Sequence, residues 1–358
     1  MRLIGNKTKL LPAIEDLLRS RRVGRGTLVD IFAGTSSVGR HFKERGFRIL
    51  SNDRMASCFT QAVARVEVSA WPRFEGVRAE IASALGRPSR SRSRSRQAGA
   101  AELETIAADH PARAYHDALR FLSQLEPTEG IIARSYAPSG KAGRRYYTDE
   151  NARRIDAALH HVRRWCRAGR LERGEHHLLL ASLLNAADRV ANISGTYGAY
   201  LKRWQASSLA PLTLRPIEIF ESDLPHQAFR GDANELITRI EGDVLYVDPP
   251  YNHRQYPANY HVLEVIAEYP DVADPELYEA SLYGKTGLRP YKDQRSSYCV
   301  STWSSRSELG DARSAMHHLL TTANVRHIVV SYNEEGILGI DDFAEILAEV
   351  SGSTTSRV

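Results

Sequence analysis

The tetrapeptide Asp248-Pro249-Pro250-Tyr251 holds the most specific chemistry in the chain, because it ends the apolar run VLYV, which reads as a buried strand. Two successive prolines remove two backbone donors and stiffen the turn, leaving carbonyl oxygens as acceptors. An aromatic ring follows at once. Such a turn suits an exocyclic amino group on a planar base: the Asp248 carboxylate and the Pro249 carbonyl accept its two N–H bonds while Tyr251 stacks on the ring. The amino lone pair of adenine is delocalised into its ring. Hydrogen bonds that draw on the amino protons favour a more tetrahedral nitrogen whose lone pair can attack.

A second group lies near the N-terminus, in DIFAGTSSVG from Asp30 to Gly39. A glycine-bearing turn between strand and helix lets a ligand approach the backbone at a helix N-terminus. The dinucleotide fingerprint GxGxxG is absent, since Ser36 stands where its second glycine would be, and so is the GK[ST] ending of a P-loop. Asp53 closes the next strand, where a carboxylate can accept both ribose hydroxyls of a nucleoside. These residues point to an adenosine-containing ligand, although an ordinary tight turn would have the same sequence.

The elements that must position these residues alternate strand and helix. Thr27 to Phe32, Phe47 to Asp53, His226 onward, Asp243 to Tyr251 and Arg326 to Asn333 are short strand-like runs, each followed by helix-favouring sequence. That alternation predicts an α/β fold with a doubly wound parallel sheet, whose ligands bind beyond the strand carboxyl ends. Asp30, Asp53, Asp232 and Asp248 all fall near such ends. Between the second and third strands lies a basic block, and residues 146–190 read as amphipathic helix opened by a Thr148–Asp149 cap. The expected organisation is a discontinuous catalytic domain, residues 1–60 plus 222–358, interrupted by a helical insertion at 61–221. The Arg/Ser repeat at 87–99 has nothing apolar to bury and reads as a disordered linker.

Charge follows this division. The 358 residues carry a net +5, but Arg87 to Arg173 alone hold 18 Lys and Arg against 10 Asp and Glu, a local +8 that leaves −3 elsewhere. A basic lobe suits a polyanion. No apolar run approaches the roughly 18 residues of a membrane helix, and the N-terminus lacks a secretion signal. Three scattered cysteines give neither a disulfide framework nor a CxxC metal site. A soluble cytoplasmic protein without a metal is expected.

The chain resembles the Dam-like, alpha-group DNA adenine methyltransferases. The resemblance rests on DPPY preceded by a DxFxG turn and by LIGNKTKLLPAI (Leu3 to Ile14). Further ordered blocks agree: YYTDENARRID, ANISGTYGAYLKRW, GDANEL, YNHRQYPANYHVLE and SYNEEGIL. It implies a Rossmann-like sheet that binds S-adenosylmethionine, with a helical target-recognition insertion. Phe32 and Gly34 would line the methionine part in the Asp30 turn, Asp53 would bind the ribose, Asp232 would sit beside the cofactor adenine, and Lys7 would approach the carboxylate end. Methyl transfer would run directly to the amino nitrogen of an adenine flipped out of double-stranded DNA, with Asp248, Pro249, Pro250 and Tyr251 catalytic. Phosphate contacts would come from Arg144, Arg145, Lys202 and Arg203 beside Tyr197, with Arg254, Gln255 and Tyr256 near the flipped base.

Two departures accompany the resemblance. Ser36 replaces a glycine common in the family. After SYNEEGIL and a helix, the ending SGSTTSRV leaves no residues for the two further strands such sheets carry, so one sheet edge is expected to stay open. An RNA or cytosine-amino methyltransferase on the same scaffold, or an inactive DNA-binding paralogue, remains open as an alternative. A monomer is expected, with a restriction endonuclease as its candidate companion.

Overall fold

All five expected strands form, and all run parallel. They are β1 (Thr27–Asp30), β2 (Arg48–Asn52), β3 (Gln227–Phe229), β4 (Glu241–Val247) and β5 (Asn324–Val330), in the spatial order β3-β2-β1-β4-β5. The computed structural model describes residues 1–3, 7–86, 107, 109–301 and 311–350. The Arg/Ser repeat, the glycine and asparagine of the GNK segment and the final eight residues lie outside them. The described residues fall into two compact units, a sheet unit (Gly5–Ala62, Ser222–Asn259, Tyr291–Val358) and a helical unit (Met1–Ile4, Val63–Glu221, Tyr260–Pro290).

In the sheet unit, β1 and β4 are central, and their apolar runs are buried on both faces, as parallel central strands require. Val29, Leu245 and Val247 face a core completed by Met316 and Leu319 of helix Ala312–Thr322 and Ile346 of helix Ile340–Glu349. Asp311 starts the first of these helices, its side chain accepting from Ser314 N at 2.8 Å. Asp30 pairs in register with Ser51 on one side and Tyr246 on the other. Strand order reverses between β1 and β4, so Asp30 and Asp248 flank the switch point of the sheet. Among the described residues no strand pairs with the outer edge of β5.

The helical unit is built on two long helices, Asp149–Arg167 and Arg173–Arg189. Thr148 Oγ1 accepts from Asn151 N at 3.2 Å, Asp149 and Glu150 fill the first turn, and Arg164 and Arg167 the last, all in keeping with the helix dipole. The second helix starts with a reciprocal Glu172–Glu175 capping box. Its run Leu178 to Leu184 is buried all round, which identifies the most apolar stretch of the sequence as a central core helix. No helix among the described residues is long and apolar enough to cross a membrane.

The division departs from the expected one at Tyr260–Pro290, which the sequence pattern assigned to the catalytic part. Helix His261–Glu268 is almost wholly buried within the helical unit. Its continuation is clamped there by Arg163, whose Nη1 donates to the carbonyls of Tyr269 (2.7 Å), Pro270 (3.1 Å) and Val272 (2.7 Å). Arg134 forms a two-pronged ion pair with Glu279. Those bonds join residues distant in sequence, and no local pattern announces them.

Candidate active site

The turn after β1 is shaped by two carboxylates. Asp30, almost fully buried at the strand end, accepts the Gly39 N–H at 3.2 Å and so holds the start of helix Ser37–Lys43. Asp53 accepts the Gly34 N–H at 2.9 Å through one oxygen and the Met55 N–H at 2.9 Å through the other. Gly34 (φ 52°) and Ser36 (φ 60°) both adopt the left-handed conformation. Glycine does so freely, whereas for serine it costs of order 1 kcal/mol. Ser36 is fully buried, and its Oγ meets no partner among the described residues. The turn thus keeps its shape at a cost the sequence did not have to incur.

On the other side of the switch point, Lys7 Nζ lies 3.1 Å from Asp248 Oδ1. Burial pushes the Asp248 carboxyl up to about 6, and Lys7 pulls against that rise. Burial likewise raises Asp30 to about 7, opposed by the Gly39 N–H and reinforced by the negative charges of Asp248 and Asp53. Three carboxylates therefore share one field at the carboxyl edge of the sheet. Lys7, expected beside a cofactor carboxylate, is paired with the carboxylate of the DPPY turn.

That turn is braced from β5. Ser331 N donates to Val247 O at 2.8 Å and Ile337 N to Tyr251 O at 2.9 Å, while the Tyr332 and Tyr251 rings meet edge-on at 6.5 Å. SYNEEGIL thus acts as a support for Asp248-Pro249-Pro250-Tyr251, with Pro249 buried and Tyr251 half-buried. Next to it, Asn252 Oδ1 accepts from Arg254 N at 3.0 Å. Gln255 exchanges two bonds with the Ser296 backbone, at 2.9 and 3.3 Å. Its amide ties this turn to the Ser296 loop. Arg254 is exposed and Tyr256 half-buried.

Phe32 is half-buried, with Tyr298 edge-on at 5.0 Å; the Tyr298 hydroxyl donates to Asn234 Oδ1 at 2.8 Å. Asp232 caps helix Ala233–Leu236 through Asn234 N at 2.9 Å and pairs with Arg54 Nη1 at 3.3 Å. Arg54 and Tyr298 escaped sequence reasoning. Arg54 follows Asp53 directly and could have been suspected from that; Tyr298 has no local signal.

The expected DNA-contacting residues of the helical unit divide into two kinds. Tyr197 is fully buried, its hydroxyl donating to Asp188 Oδ1 at 3.1 Å and its carbonyl accepting from Tyr146 Oη at 2.7 Å. It is a core residue and cannot reach a nucleic acid from there, and Tyr146 and Tyr147 are buried with it. Aromatic side chains among arginines look alike in sequence whether they face water or core. Arg144 is spent on the carbonyls of Ser135, Gly284 and Lys285. Arg145, Lys202 and Arg203 are exposed, and Arg145 Nη1 donates to Lys202 O at 2.8 Å. Asn192 holds the two segments together, donating to Arg145 O at 3.1 Å and Leu201 O at 2.9 Å.

A parallel sheet in this order, with an acid-lined switch point and a braced DPPY turn, defines a Rossmann-like methyltransferase fold. The chain belongs to the D12 class N6 adenine-specific DNA methyltransferase family, whose model matches residues 3–79 and 114–346. It is similar to type II methyltransferase M.FokI of Planomicrobium okeanokoites, at 35% identity over 100% of this chain and 48% of the relative. Modification methylase StsI of Streptococcus sanguinis is 33% identical over 98% of this chain and 46% of its own length. Type II methyltransferase M.NlaIII of Neisseria lactamica is 33% identical over 97% of this chain and 87% of its own length. The chain spans about half the length of the first two. No solved structure matches it.

Proposed function

We propose that the chain transfers a methyl group from S-adenosylmethionine to the exocyclic amino nitrogen of adenine in double-stranded DNA. The observation that carries this reading is Asp248, ion-paired with Lys7 at 3.1 Å and followed by two prolines and an aromatic ring at the sheet's switch point.

The acid-lined turn fits this cofactor. Asp30, Asp53 and Asp248 make a negative field, which disfavours a pyrophosphate and suits a sulfonium and an α-amino group. The Asp53 carboxylate, held at the turn by Gly34 N and Met55 N, is an acceptor suited to the ribose hydroxyls. Phe32 and Tyr298 offer ring edges beside the turn, and Asp232 with Arg54 a polar pair suited to the adenine end. When bound, the cofactor supplies an electrophilic methyl group.

The protein's own work is positioning and charge stabilisation. Asp248 and the Pro249 carbonyl accept the two amino N–H bonds of the target base, and Tyr251 stacks on it. As positive charge develops on the nitrogen, the ionised Asp248 stabilises it. Lys7 keeps that carboxylate ionised until the base arrives. Flipping the base costs a few kcal/mol. Arg145, Lys202, Arg203 and Arg254 supply salt-dependent phosphate attraction. The enzyme works as a cytoplasmic monomer whose transfer step uses no metal, and the type II and modification names of its relatives suggest a companion endonuclease.

Transfer of labelled methyl groups to duplex DNA, with digestion to nucleosides, tests the reading. N6-methyladenine is expected, with Asp248→Ala lowering kcat about 10²–10³-fold and leaving cofactor affinity within a few-fold. Methylated cytosine, or labelled RNA with unlabelled duplex, would replace it with the corresponding alternative; cofactor binding without any transfer would favour an inactive paralogue.

A further inference from the structure

Three potential metal ligands converge in the helical unit, none of them given a catalytic, cofactor or DNA-binding role above. Cys166 lies in the last turn of helix Asp149–Arg167, His176 near the start of helix Arg173–Arg189, and Asp271 at the end of the short turn Tyr269–Asp271. One donor atom from each lies within 4.8 Å of the others. Cys166 and Asp271 are 105 positions apart in sequence, yet the thiol donates to Asp271 Oδ1 at 3.7 Å.

A second observation concerns the buried member of this cluster. His176 is 6% exposed, and its Nδ1 meets no partner among the described residues. A buried imidazole nitrogen without a partner costs free energy, and coordination to a metal ion is one way to satisfy a buried ring. We propose that Cys166, His176 and Asp271 form a divalent metal site, filled by Zn²⁺ with water as the fourth ligand.

The donor set carries the choice of ion. One sulfur, one imidazole nitrogen and one carboxylate oxygen suit borderline-soft Zn²⁺, whereas Mg²⁺ and Ca²⁺ demand oxygen. Bonds of about 2.0–2.3 Å place tetrahedral ligand atoms about 3.3–3.8 Å apart, so the cluster must close by roughly 1 Å. The exposed Asp271 side chain is free to swing, while its backbone is held by the Arg163 bonds to Tyr269, Pro270 and Val272. On binding, the Cys166 S–H bond breaks, its proton leaves to solvent and the thiolate electron pair goes to the metal. Thiolate, carboxylate and dication then sum to zero charge. The surrounding charges are arginines: Arg163, already engaged by carbonyls, and Arg167 next in sequence to Cys166.

Burial lowers the proton affinity of His176, leaving the neutral ring that a metal requires. Burial, the Asp271 charge and the bond to Asp271 keep the Cys166 proton on in the metal-free state. The site would tie both long helices to the Tyr260–Pro290 segment, making it a staple for the helical unit.

The test uses the full chain stripped with a chelator and titrated with ZnCl₂, then separately with CoCl₂. Expected are one equivalent bound with release of a proton, a raised Tm, and a near-ultraviolet thiolate-to-cobalt absorption band. Cys166→Ser should abolish that band, and His176→Gln should weaken Zn²⁺ binding at least ~10-fold, while Cys58→Ala keeps both. Asp271→Asn, at an exposed position, covers the case in which a helix variant fails to fold, and should also weaken Zn²⁺ at least ~10-fold. No stoichiometric binding, or equal binding by wild type and a folded Cys166→Ser or Asp271→Asn variant, overturns the proposal.

Discussion

Lys7 Nζ stands 3.1 Å from Asp248 Oδ1, joining the N-terminal segment to the turn at the end of β4 across 241 positions of sequence. Burial raises the Asp248 carboxyl to about 6 even with this ammonium beside it. In the proposed reaction, where this acid must be ionised to stabilise an amino cation, it depends on a residue outside its own motif.

Replacing Lys7 by methionine removes the charge that opposes burial. The Asp248 carboxyl then titrates higher, and the acidic limb of the single-turnover methyl-transfer profile moves up by about one pH unit. Activity at pH 6.5 falls more than at pH 8.5. Lys7→Arg should keep most of the wild-type profile. A profile unchanged in Lys7→Met would remove Lys7 from the reaction.

Asp30 predicts a stability effect of defined sign. Its carboxyl is raised from 3.8 to about 7, so the folded chain holds a proton that the unfolded chain releases within that window. Stability from this group is present at low pH and is lost as pH rises to 7. Asp30→Asn, which can still accept the Gly39 N–H, should be more stable than wild type by about 1–3 kcal/mol at pH 8 and nearly equal near pH 4. Urea unfolding at the two pH values measures this. Weaker cofactor binding should accompany the gain, because the negative field is reduced.

Ser36→Gly relieves a left-handed serine with a buried hydroxyl. A gain of about 1 kcal/mol is expected in the same unfolding assay, provided that the loop entropy added by glycine is smaller. A loss would show that the Ser36 hydroxyl contributes a contact worth more than the strain.

Tyr197 and Arg203 separate core from interface. Tyr197→Ala should lower stability by about 3–5 kcal/mol, as for other buried aromatics, whereas Arg203→Ala should leave it nearly unchanged. Duplex binding should weaken in Arg203→Ala, with the log–log salt slope reduced by about 1. An unchanged slope would take Arg203 out of the phosphate contacts.

Much of the sheet unit was legible because its signals are local. Each strand is a short apolar run, and in an all-parallel sheet the residues at strand carboxyl ends must share one edge. That geometry gathers Asp30, Asp53 and Asp248 without any long-range information. The helical unit was less legible. Its basic and aromatic residues form one pattern in sequence, and only packing separates buried Tyr197 from exposed Lys202.

What the sequence by itself determined, then, is the alternation of strand and helix, the two motifs and the place of the acids at strand ends, since each depends on neighbours a few residues away. The tertiary structure alone decided which side chains meet across long separations: Lys7 with Asp248, Gln255 with Ser296, and Cys166 and His176 with Asp271. Those pairings follow from how helices and loops stack in space, where burial and Coulomb forces act on distance and not on position in the chain.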